Sequence, residues 1–476
     1  MTPEEFRRFG HQLIDLIGDY RESCAAGDRP VLAAQQPGAL LQALPDEPPE
    51  SAEPFAAVLA DLERLILPGC TGWQDPRFFA FFPSNSLPAA VLGDLASTGL
   101  AQLGLNWEAS PALTELEQRM CEWMRQALAL PASFGGTITD AASSATLVAA
   151  ICAREHALGF PASGSGSQQL AHPLIVYASA QSHSSVQKAV LLAGYGQENL
   201  RIIAVDGKFA MQPDALAQQV RADLAAGLKP CAVIASCGTT ATTALDPIDS
   251  IAAVCAEHGL WLHVDAAMAG SAMIVPEYRW MWRGIERADS LVINPHKWLG
   301  ASFDCSLYFV RDPRLLMRVM SSNPSYLQSP QDTATRNYRD WGIPLGRRFR
   351  ALKLWFLLRE QGLAGLRARM RRDVANAAWL AGQVGASEHW RVLAPVPLQT
   401  VCVRHEPPQL SGSALDEHTH GWVREINASG EAYLTPAKLG DRWMVRVSIG
   451  SASTERRHVE ALWQNMQRVA NRRLTK

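Results

Sequence analysis

The stretch Leu260-Trp-Leu-His-Val-Asp265-Ala-Ala267 provides the clearest starting point for interpreting this chain. Residues 260–264 form a short apolar run, which predicts a buried strand that ends just before Asp265. A second apolar run, residues 291–293, leads into Asn294-Pro-His-Lys297-Trp. Because the carboxyl ends of strands in an open parallel sheet line the ligand crevice, we expect Asp265 and Lys297 to face one ligand.

An amine and a carboxylate at these positions suit pyridoxal phosphate (PLP). A PLP enzyme needs an amine that forms a Schiff base and a carboxylate that keeps a pyridinium nitrogen protonated. The chain has seven lysines, of which Lys208 and Lys229 lie in turn-like sequences. Lys297 is the best-placed candidate, and an ordinary salt bridge between strand ends is the alternative interpretation.

Length and composition favour a multidomain protein without a dominant charge. The 476 residues are 47% hydrophobic, enough for two or three domains with substantial cores. A net charge of −2 gives no overall attraction to nucleic acid or membrane. Nine cysteines without zinc-type spacing argue against a disulfide framework and a metal site. The absence of a signal-like or membrane-spanning apolar stretch predicts a cytoplasmic protein.

The N-terminal region predicts a helix on an extended arm. Thr2-Pro-Glu-Glu5 combines a capping residue, a proline at the first helical position and a glutamate at the third. Apolar residues then recur every three or four positions as far as Tyr20, and six prolines punctuate residues 28–54. We expect the helix to pack on a partner subunit; packing against its own chain is the alternative.

The pattern of apolar runs predicts an α/β fold with three parts. These are an N-terminal arm and linker (1–84), a large domain (85–374) and a small α+β domain (375–476). The Arg-rich segment 347–372 is interpreted as a solvated helix face rather than a nucleic-acid patch. Predicted strands of the large domain are 174–177, 201–205, 232–236, 260–264, 291–293 and 306–310, and those of the small domain are 399–403 and 443–449, before a helix from Thr454.

Three further motifs lie where strands meet helices. Residues 139–146 place small hydroxylated side chains at a predicted helix start, where backbone amides bind phosphate. Ser236-Cys-Gly-Thr-Thr240 follows a predicted strand, and His183 lies between a strand and a helix, where an imidazole could stack on a cofactor ring. Taken singly, these motifs are also compatible with a plain helix start, a turn and a structural histidine.

Four ordered motifs together resemble one enzyme family. They are His183-Ser-Ser-Val, His263-Val-Asp265-Ala-Ala267, Asn294-Pro-His296-Lys297-Trp298 and Pro344-Leu-Gly346-Arg-Arg-Phe349. The chain is similar to the group II PLP-dependent decarboxylases, specifically the aromatic L-amino acid decarboxylases, and among these to bacterial DOPA decarboxylases. The resemblance runs nearly end to end. It implies the fold type I architecture, with a mainly parallel seven-stranded sheet in the large domain, and a homodimer with swapped N-terminal helices.

The resemblance also implies a role for each site residue. Lys297 would bind PLP, Asp265 would pair with the pyridinium nitrogen, and His183 and Ala267 would pack on opposite faces of the ring. The other cofactor contacts would be Ala142, Ser143 and Asn294 at the phosphate, Thr240 near the ring, and His296 beside the Schiff base. The substrate pocket would include Trp73, Phe81, Phe82, Pro83, Ser84, His183 and Gly346.

Two positions depart from the family pattern. Ser144 stands where the family commonly has Glu, and Phe81 stands where several animal members have Tyr. The first concerns the phosphate site, and the second concerns recognition of hydroxyl groups on the substrate ring. Neither departure removes a catalytic group.

The resemblance implies decarboxylation of an aromatic L-amino acid, with L-DOPA as the first choice and tyrosine, tryptophan and phenylalanine as further substrates. Gly346 leaves space where histidine-preferring relatives tend to carry Ser. An oxygen-consuming aldehyde synthase, a PLP aminotransferase and a non-catalytic PLP-binding homologue remain alternatives. Tyr326 lies in a polar, proline-punctuated segment that predicts a lid. In the family a tyrosine here supplies a proton, whereas related aldehyde synthases carry Phe.

Tyr326→Phe therefore tests the reaction type. We expect the variant to lose amine formation and to gain aldehyde, ammonia and peroxide, because the proton donor is missing and oxygen reacts instead. Product analysis by chromatography, together with a peroxide assay, measures both outcomes. Amine output equal to that of the wild type would contradict the role of Tyr326.

Overall fold

The computed structural model describes residues 1–160, 172–321 and 334–475, and the chain forms two units. The larger unit contains residues 84–372 and 394–398, and the smaller unit contains the rest of the described chain. The chain enters the larger unit at residue 84 and leaves it after residue 372. The predicted domain boundaries, after residues 84 and 374, lie within two residues of these positions. The division into three domains stays a prediction.

A seven-stranded sheet forms the centre of the larger unit. Its order is β1-β7-β6-β5-β4-β2-β3, and β7 runs antiparallel to both neighbours while the remaining pairs are parallel. The mainly parallel α/β sheet is therefore confirmed. The strands are β1 Gly135–Thr139, β2 Leu174–Ser179, β3 Leu200–Ile203, β4 Lys229–Ser236, β5 Trp261–Asp265, β6 Ser290–Ile293 and β7 Ser306–Val310.

Six of these strands coincide with predicted apolar runs, and β1 was missed. The sequence Gly135-Gly-Thr gives a weak strand signal because glycine is depleted in strands. A Cβ atom on Gly136 would lie only 2.6 Å from the Phe309 ring. Glycine thus allows β1 to pair closely with β7, and this tertiary requirement is not visible in the local sequence.

Helices cover the sheet of the larger unit and also form part of the smaller unit. Small buried residues of α6, such as Ala145, Ala149 and Ala153, pack in the core of the larger unit. The α-helices of the described chain are α1 Pro3–Ala26, α2 Ala39–Ala43, α3 Phe55–Asp61, α4 Pro88–Leu100, α5 Pro111–Ala127, α6 Ala142–Leu158, α7 Ser184–Leu192, α8 Pro213–Ala225, α9 Ile248–His258, α10 Pro313–Met320, α11 Arg350–Ala386, α12 Gly412–Ser429 and α13 Arg456–Arg472.

A buried ion pair ties α5 to β1 and to the segment that carries Gly346. The Arg347 guanidinium donates to both carboxylate oxygens of Glu117, at 2.6 and 2.9 Å, and to the Ile138 carbonyl at 2.6 Å. The backbone of Arg347 also exchanges two hydrogen bonds with Gly104, at 2.9 and 3.1 Å. These contacts fix the position of Gly346.

The interpretation of residues 347–372 as a solvated face was wrong for several basic side chains. Arg347, Lys353 and Arg369 are buried, whereas Arg359 and Arg371 are exposed. The Lys353 ammonium lies 3.2 Å from an Asp94 carboxylate oxygen. Spacing along a helix did not reveal these partners, because they lie on elements distant in sequence.

The smaller unit contains the N-terminal helix and a second sheet. Thr2 and Glu5 form the predicted capping box of α1. The segment 28–54 was predicted to be an extended connector, and it contains the short helix α2, none of whose residues is buried. The four-stranded antiparallel sheet has the order β10-β11-β9-β8, with β8 Trp390–Val392, β9 Thr400–His405, β10 Thr435–Leu439 and β11 Arg442–Ser448.

Within the described ranges, no helix is long and apolar enough to span a membrane. In the same residues, no group of three or more His, Cys, Asp or Glu side chains is arranged to hold a metal ion.

Two glycines of α4 provide a matched test of the packing against α11. A Cβ atom on Gly93 would lie 2.6 Å from the Lys353 Cα, whereas one on Gly99 meets nothing within 4 Å. We expect Gly93→Ala to lower the free energy of unfolding by about 1–3 kcal/mol, the usual cost of overpacking. Gly99→Ala should leave it unchanged or raise it by up to about 1 kcal/mol, because alanine favours the helix. Urea unfolding measures both variants, and equal stability would contradict this packing.

Candidate active site

Backbone hydrogen bonds connect the carboxyl ends of β4, β5 and β6 near Asp265. Asp265 is the last residue of β5. The Asp265 carboxylate is buried and accepts a hydrogen bond from the Ala267 backbone N–H at 3.0 Å. The backbone N–H of Cys237 donates to the Asp265 carbonyl at 2.9 Å, and that of Asn294 donates to the Ala267 carbonyl at 2.8 Å. The segments after β4, β5 and β6 therefore meet at one edge of the sheet.

Lys297 lies in a single irregular helical turn, Pro295–Leu299, directly after β6. Its backbone departs from helical geometry, with φ −93° and ψ −108°. Its carbonyl accepts a hydrogen bond from the Asn85 N–H at 3.2 Å, which places Ser84 one residue from this contact. The other four residues of the turn are buried, whereas Lys297 is only half-buried. The turn thus makes Lys297 its most accessible member.

His183 is the third predicted residue that comes into this site. It precedes α7 as the N-cap residue, and its Nδ1 accepts the Ser185 backbone N–H at 3.1 Å. Burial lowers the pKa of His183, the Asp265 carboxylate opposes this effect, and the Lys297 ammonium lowers the pKa further. His183, Asp265 and Lys297 therefore lie close enough to influence one another electrostatically.

His296, next to Lys297, is a neutral imidazole. Its Nδ1 accepts the Cys305 backbone N–H at 2.9 Å, and its ring packs 4.9 Å from the Phe303 ring. Burial, followed by the nearby Lys297 charge, lowers the pKa of His296 to about 4. At neutral pH the ring therefore carries its proton on Nε2.

The residues predicted to bind phosphate lie at the start of α6. The helix begins at Ala142, and its N-cap residue Ala141 supplies no side-chain hydrogen bond. The first backbone amides of the helix are therefore suited to an anion. Ser143 is exposed at this end, whereas the Ser144 hydroxyl donates to Asp140 at 3.0 Å. Ser144 thus stabilises the loop that precedes α6.

The Asn294 side chain is oriented by a hydrogen bond from Ser306. Its Oδ1 accepts the Ser306 hydroxyl at 2.6 Å. Because the oxygen takes this bond, the amide nitrogen is the group that would donate to a phosphate. Both residues are buried at the end of β6 and the start of β7.

The remaining cofactor candidates lie at the same sheet edge with fewer contacts. Ala267 is half-buried beside Asp265, and Thr240 is exposed in the turn after β4. Gly238 holds that turn with a φ of +85°, and a Cβ atom there would lie 2.5 Å from the Ala269 Cβ. Only glycine satisfies both the conformation and the close approach.

The predicted substrate residues divide between the units. Trp73, Phe81, Phe82 and Pro83 belong to the smaller unit, and Ser84 begins the larger one. The rings of Trp73 and Phe81 stack at 5.8 Å and are 41% and 43% exposed. Gly346 is exposed in the larger unit, and Tyr326 lies outside the described residues.

Sequence reasoning missed the residues that orient the site. Ser185, Cys305 and Ser306 each make a hydrogen bond to a predicted site residue. For Ser185 a signal was present, since it is the second residue after a histidine that stands where Ser, Thr, Asp or Asn usually caps a helix. Ser306 gave no such signal, because its partner is twelve residues away on another element.

These groups fit PLP. An uncapped helix start accommodates a phosphate, a buried carboxylate accommodates a protonated ring nitrogen, and Lys297 supplies the amine. The small side chain of Ala267 leaves room for a flat ring.

A family model described as the pyridoxal-dependent decarboxylase conserved domain matches residues 37–406. The chain belongs to this family. This chain is thus a PLP-dependent carboxy-lyase of the aromatic-L-amino-acid decarboxylase group. The relatives in this group also include aldehyde synthases.

Named relatives match this decarboxylase along almost its full length. Tryptophan decarboxylase TDC2 from Camptotheca acuminata is 39% identical over 98% of this chain and 94% of the relative. Phenylacetaldehyde synthase from a Rosa hybrid cultivar is also 39% identical, with the same coverage. The crystal structure of Oryza sativa TDC with PLP and tryptamine has a TM-score of 0.95 and 36% identity, and the match covers 99% of both chains.

A double-mutant cycle on Ser306 and Asn294 tests the phosphate site of the decarboxylase. We expect Ser306→Ala to weaken PLP binding by about threefold to tenfold, because one neutral hydrogen bond that orients Asn294 is lost. Asn294→Ala should weaken binding further, and adding Ser306→Ala to it should then have little effect. PLP titration of the apoenzyme, with melting temperatures as a control for folding, measures the cycle. Fully additive effects would show that Ser306 does not act through Asn294.

Proposed function

We propose that this decarboxylase converts an aromatic L-amino acid to its amine and carbon dioxide. L-DOPA is the first substrate to test, followed by tyrosine, tryptophan and phenylalanine. The observation that supports this proposal is the convergence of Lys297, Asp265 and His183 at one edge of the sheet.

Three groups of the chain hold the cofactor in this proposal. The Lys297 amine binds the cofactor carbonyl carbon, and the Asp265 carboxylate accepts the ring N–H and keeps that proton in place. The first amides of α6, with Ser143 and Asn294, bind the phosphate. PLP, when bound, accepts the electrons of the bond that joins the substrate carboxylate to its α-carbon.

The remaining residues position the substrate and manage protons. His183 and Ala267 would hold opposite faces of the cofactor ring, and Thr240 would contact the same ring. His296, the neighbour of Lys297 in the sequence, would offer its Nε2–H group as a hydrogen-bond donor. The Tyr326 hydroxyl would give its proton to the α-carbon in place of the lost carboxylate.

Two of the predicted substrate residues, one in each unit, have local structures that suit contact with an aromatic ring. Phe81 has a φ of +49°, a strained conformation for a bulky residue and one that often marks a functional site. Its backbone N–H donates to the Thr435 hydroxyl at 2.9 Å, which helps to maintain this conformation. In the larger unit, a Cβ atom on Gly346 would lie 3.2 Å from the Leu103 side chain. The Leu103 side chain therefore supplies an apolar surface directly beside Gly346.

A second candidate function is an oxygen-consuming aromatic aldehyde synthase. The observation that favours it is the relative named phenylacetaldehyde synthase, which is as similar to this chain as the tryptophan decarboxylase. The presence of Tyr326 favours the amine as the product.

We also propose a homodimer in a reducing, cytoplasmic compartment. Helix α4 exposes Leu92, Leu95 and Leu100, and α1 exposes Phe6, which is 67% accessible. Part of the α1 stripe packs within the smaller unit, where the rings of Phe9 and Phe55 lie 5.0 Å apart. A second copy would cover the exposed apolar residues. All nine cysteines are free, which suits a reducing compartment. Sedimentation of the purified protein tests the dimer.

A product assay with a lysine control tests the catalytic proposal. We expect the purified enzyme to show the visible absorbance of bound PLP and to release amine and carbon dioxide equally in air and under nitrogen. Lys297→Ala should lose the visible band and the activity, because its amine is the attachment point. Lys188→Ala, which changes an exposed lysine of α7, should retain both.

The same assay ranks the substrates and separates the two reactions. L-DOPA, tyrosine, tryptophan, phenylalanine and histidine are compared by kcat/KM. Aldehyde and peroxide formed only in air would assign the enzyme to the synthases. Absence of a visible band after PLP addition, or full activity of Lys297→Ala, would refute the catalytic proposal.

A further inference from the structure

An unusual helix cap stands in the centre of the candidate site. The N-cap position favours Ser, Thr, Asp or Asn, whose side-chain oxygens accept a backbone N–H of the first turn. Helix α7 instead begins after His183, and Nδ1 takes the place of that oxygen. The ring is thereby held by the main chain of its own helix.

Two groups of Ser185 contact the same nitrogen of His183. The Ser185 backbone N–H donates to Nδ1 at 3.1 Å, and the Ser185 hydroxyl lies 2.8 Å from Nδ1. A backbone N–H cannot accept a hydrogen bond, so Nδ1 must be the unprotonated nitrogen of the neutral ring. The proton of neutral His183 therefore resides on Nε2.

The Ser185 hydroxyl has a second property that the backbone lacks. It donates to Nδ1 when the ring is neutral and can rotate to accept from Nδ1–H when the ring is charged. Ser185 is buried and the His183 ring is exposed, so the contact between them is partly buried. The hydroxyl thus supports both protonation states of His183, whereas the amide supports only the neutral state.

We propose that Ser185 is a positioning residue of the decarboxylase, which holds His183 in one ring orientation with its proton on Nε2. This inference rests on the proposed function, since it concerns the histidine assigned to the cofactor ring. Ser185 contacts neither substrate nor cofactor in this proposal, and it acts only through His183.

The surrounding charges are consistent with a neutral ring. The N-terminal end of α7 carries a partial positive charge that disfavours an imidazolium. Burial lowers the pKa of His183, Asp265 at the end of β5 raises it, and Lys297 after β6 lowers it. The first charged side chain along α7 is Lys188, which is exposed. Orientation by Ser185 therefore acts on a ring that is already biased toward neutrality.

The first experiment measures the tautomer in the wild-type protein. Protein labelled with [15N]histidine is examined by NMR before PLP is added, and the His183 signals are assigned with His183→Gln. We expect an unprotonated Nδ1 and a protonated Nε2 at neutral pH. A proton on Nδ1 would overturn the proposal, and this result does not depend on the folding of any serine variant.

The second experiment removes the hydroxyl and keeps the amide. We expect Ser185→Ala to lower the pKa of His183 by about one unit, because the charged ring loses a stronger hydrogen bond than the neutral ring. The kcat should fall roughly fivefold to tenfold with little change in KM, because the ring is held less firmly. Ser185→Thr, which restores a hydroxyl, should restore both the titration and the rate.

A serine–histidine pair in the core provides the matched control. The Ser290 hydroxyl lies 2.9 Å from Nδ1 of the buried His263. Ser290→Ala should lower the melting temperature but leave the His183 titration unchanged. A His183 titration in Ser185→Ala equal to that of the wild type would overturn the proposal. A wild-type enzyme without a PLP band or amine product would instead refute the proposed function, so the two failures are distinguishable.

Discussion

The register of the central parallel strands is the constraint on which the rest of the site depends. Ser236 lies opposite Asp265, and Asp265 lies opposite Val292. Because side chains alternate between faces of a strand, a slip of one residue would move the Asp265 carboxylate to the other face. The backbone bonds from Cys237 to Asp265 and from Asn294 to Ala267 extend this pairing beyond the strands. The main chain therefore fixes the position of Asp265 relative to the segment that carries Lys297.

The two histidines near Lys297 share one arrangement. Nδ1 of His183 accepts the N–H of Ser185, and Nδ1 of His296 accepts the N–H of Cys305. Burial lowers the pKa of both rings, so both are biased toward the neutral state. Neutral imidazoles add no positive charge beside an amine that must lose a proton before it attacks a carbonyl. The folded backbone thus fixes the tautomer of both neutral rings.

The sequence allowed the central strands and their polar ends to be predicted because those signals are local. The run 260–264 gives β5 with a shift of one residue, and the polar residues after it meet those after β6. Contacts between distant segments were not predictable in the same way. Glu117 and Arg347 are 230 residues apart, and Arg347 was interpreted as part of a solvated face. Its burial depends on a partner that no spacing rule identifies.

The cap of α7 is an intermediate case between local and distant information. His183 was recognised as a candidate for stacking on a cofactor ring, but Ser185 was not recognised as its partner. The information was local, since the two residues are separated by a single position. The start of α7 shows why the two residues are partners. The hydrogen bond from Ser185 to His183 caps the helix and also orients the ring.

Overall similarity does not separate the two reactions found among the relatives. A protein named tryptophan decarboxylase and one named phenylacetaldehyde synthase are equally identical to this chain. In both proposed reactions the substrate loses carbon dioxide. The products differ because the α-carbon then receives a proton in one reaction and reacts with oxygen in the other. A positioned acid accelerates proton transfer by about 10²–10⁴-fold, which favours protonation of that carbon over its reaction with oxygen. A single hydroxyl can therefore decide the product while the fold, the cofactor site and most of the sequence stay the same.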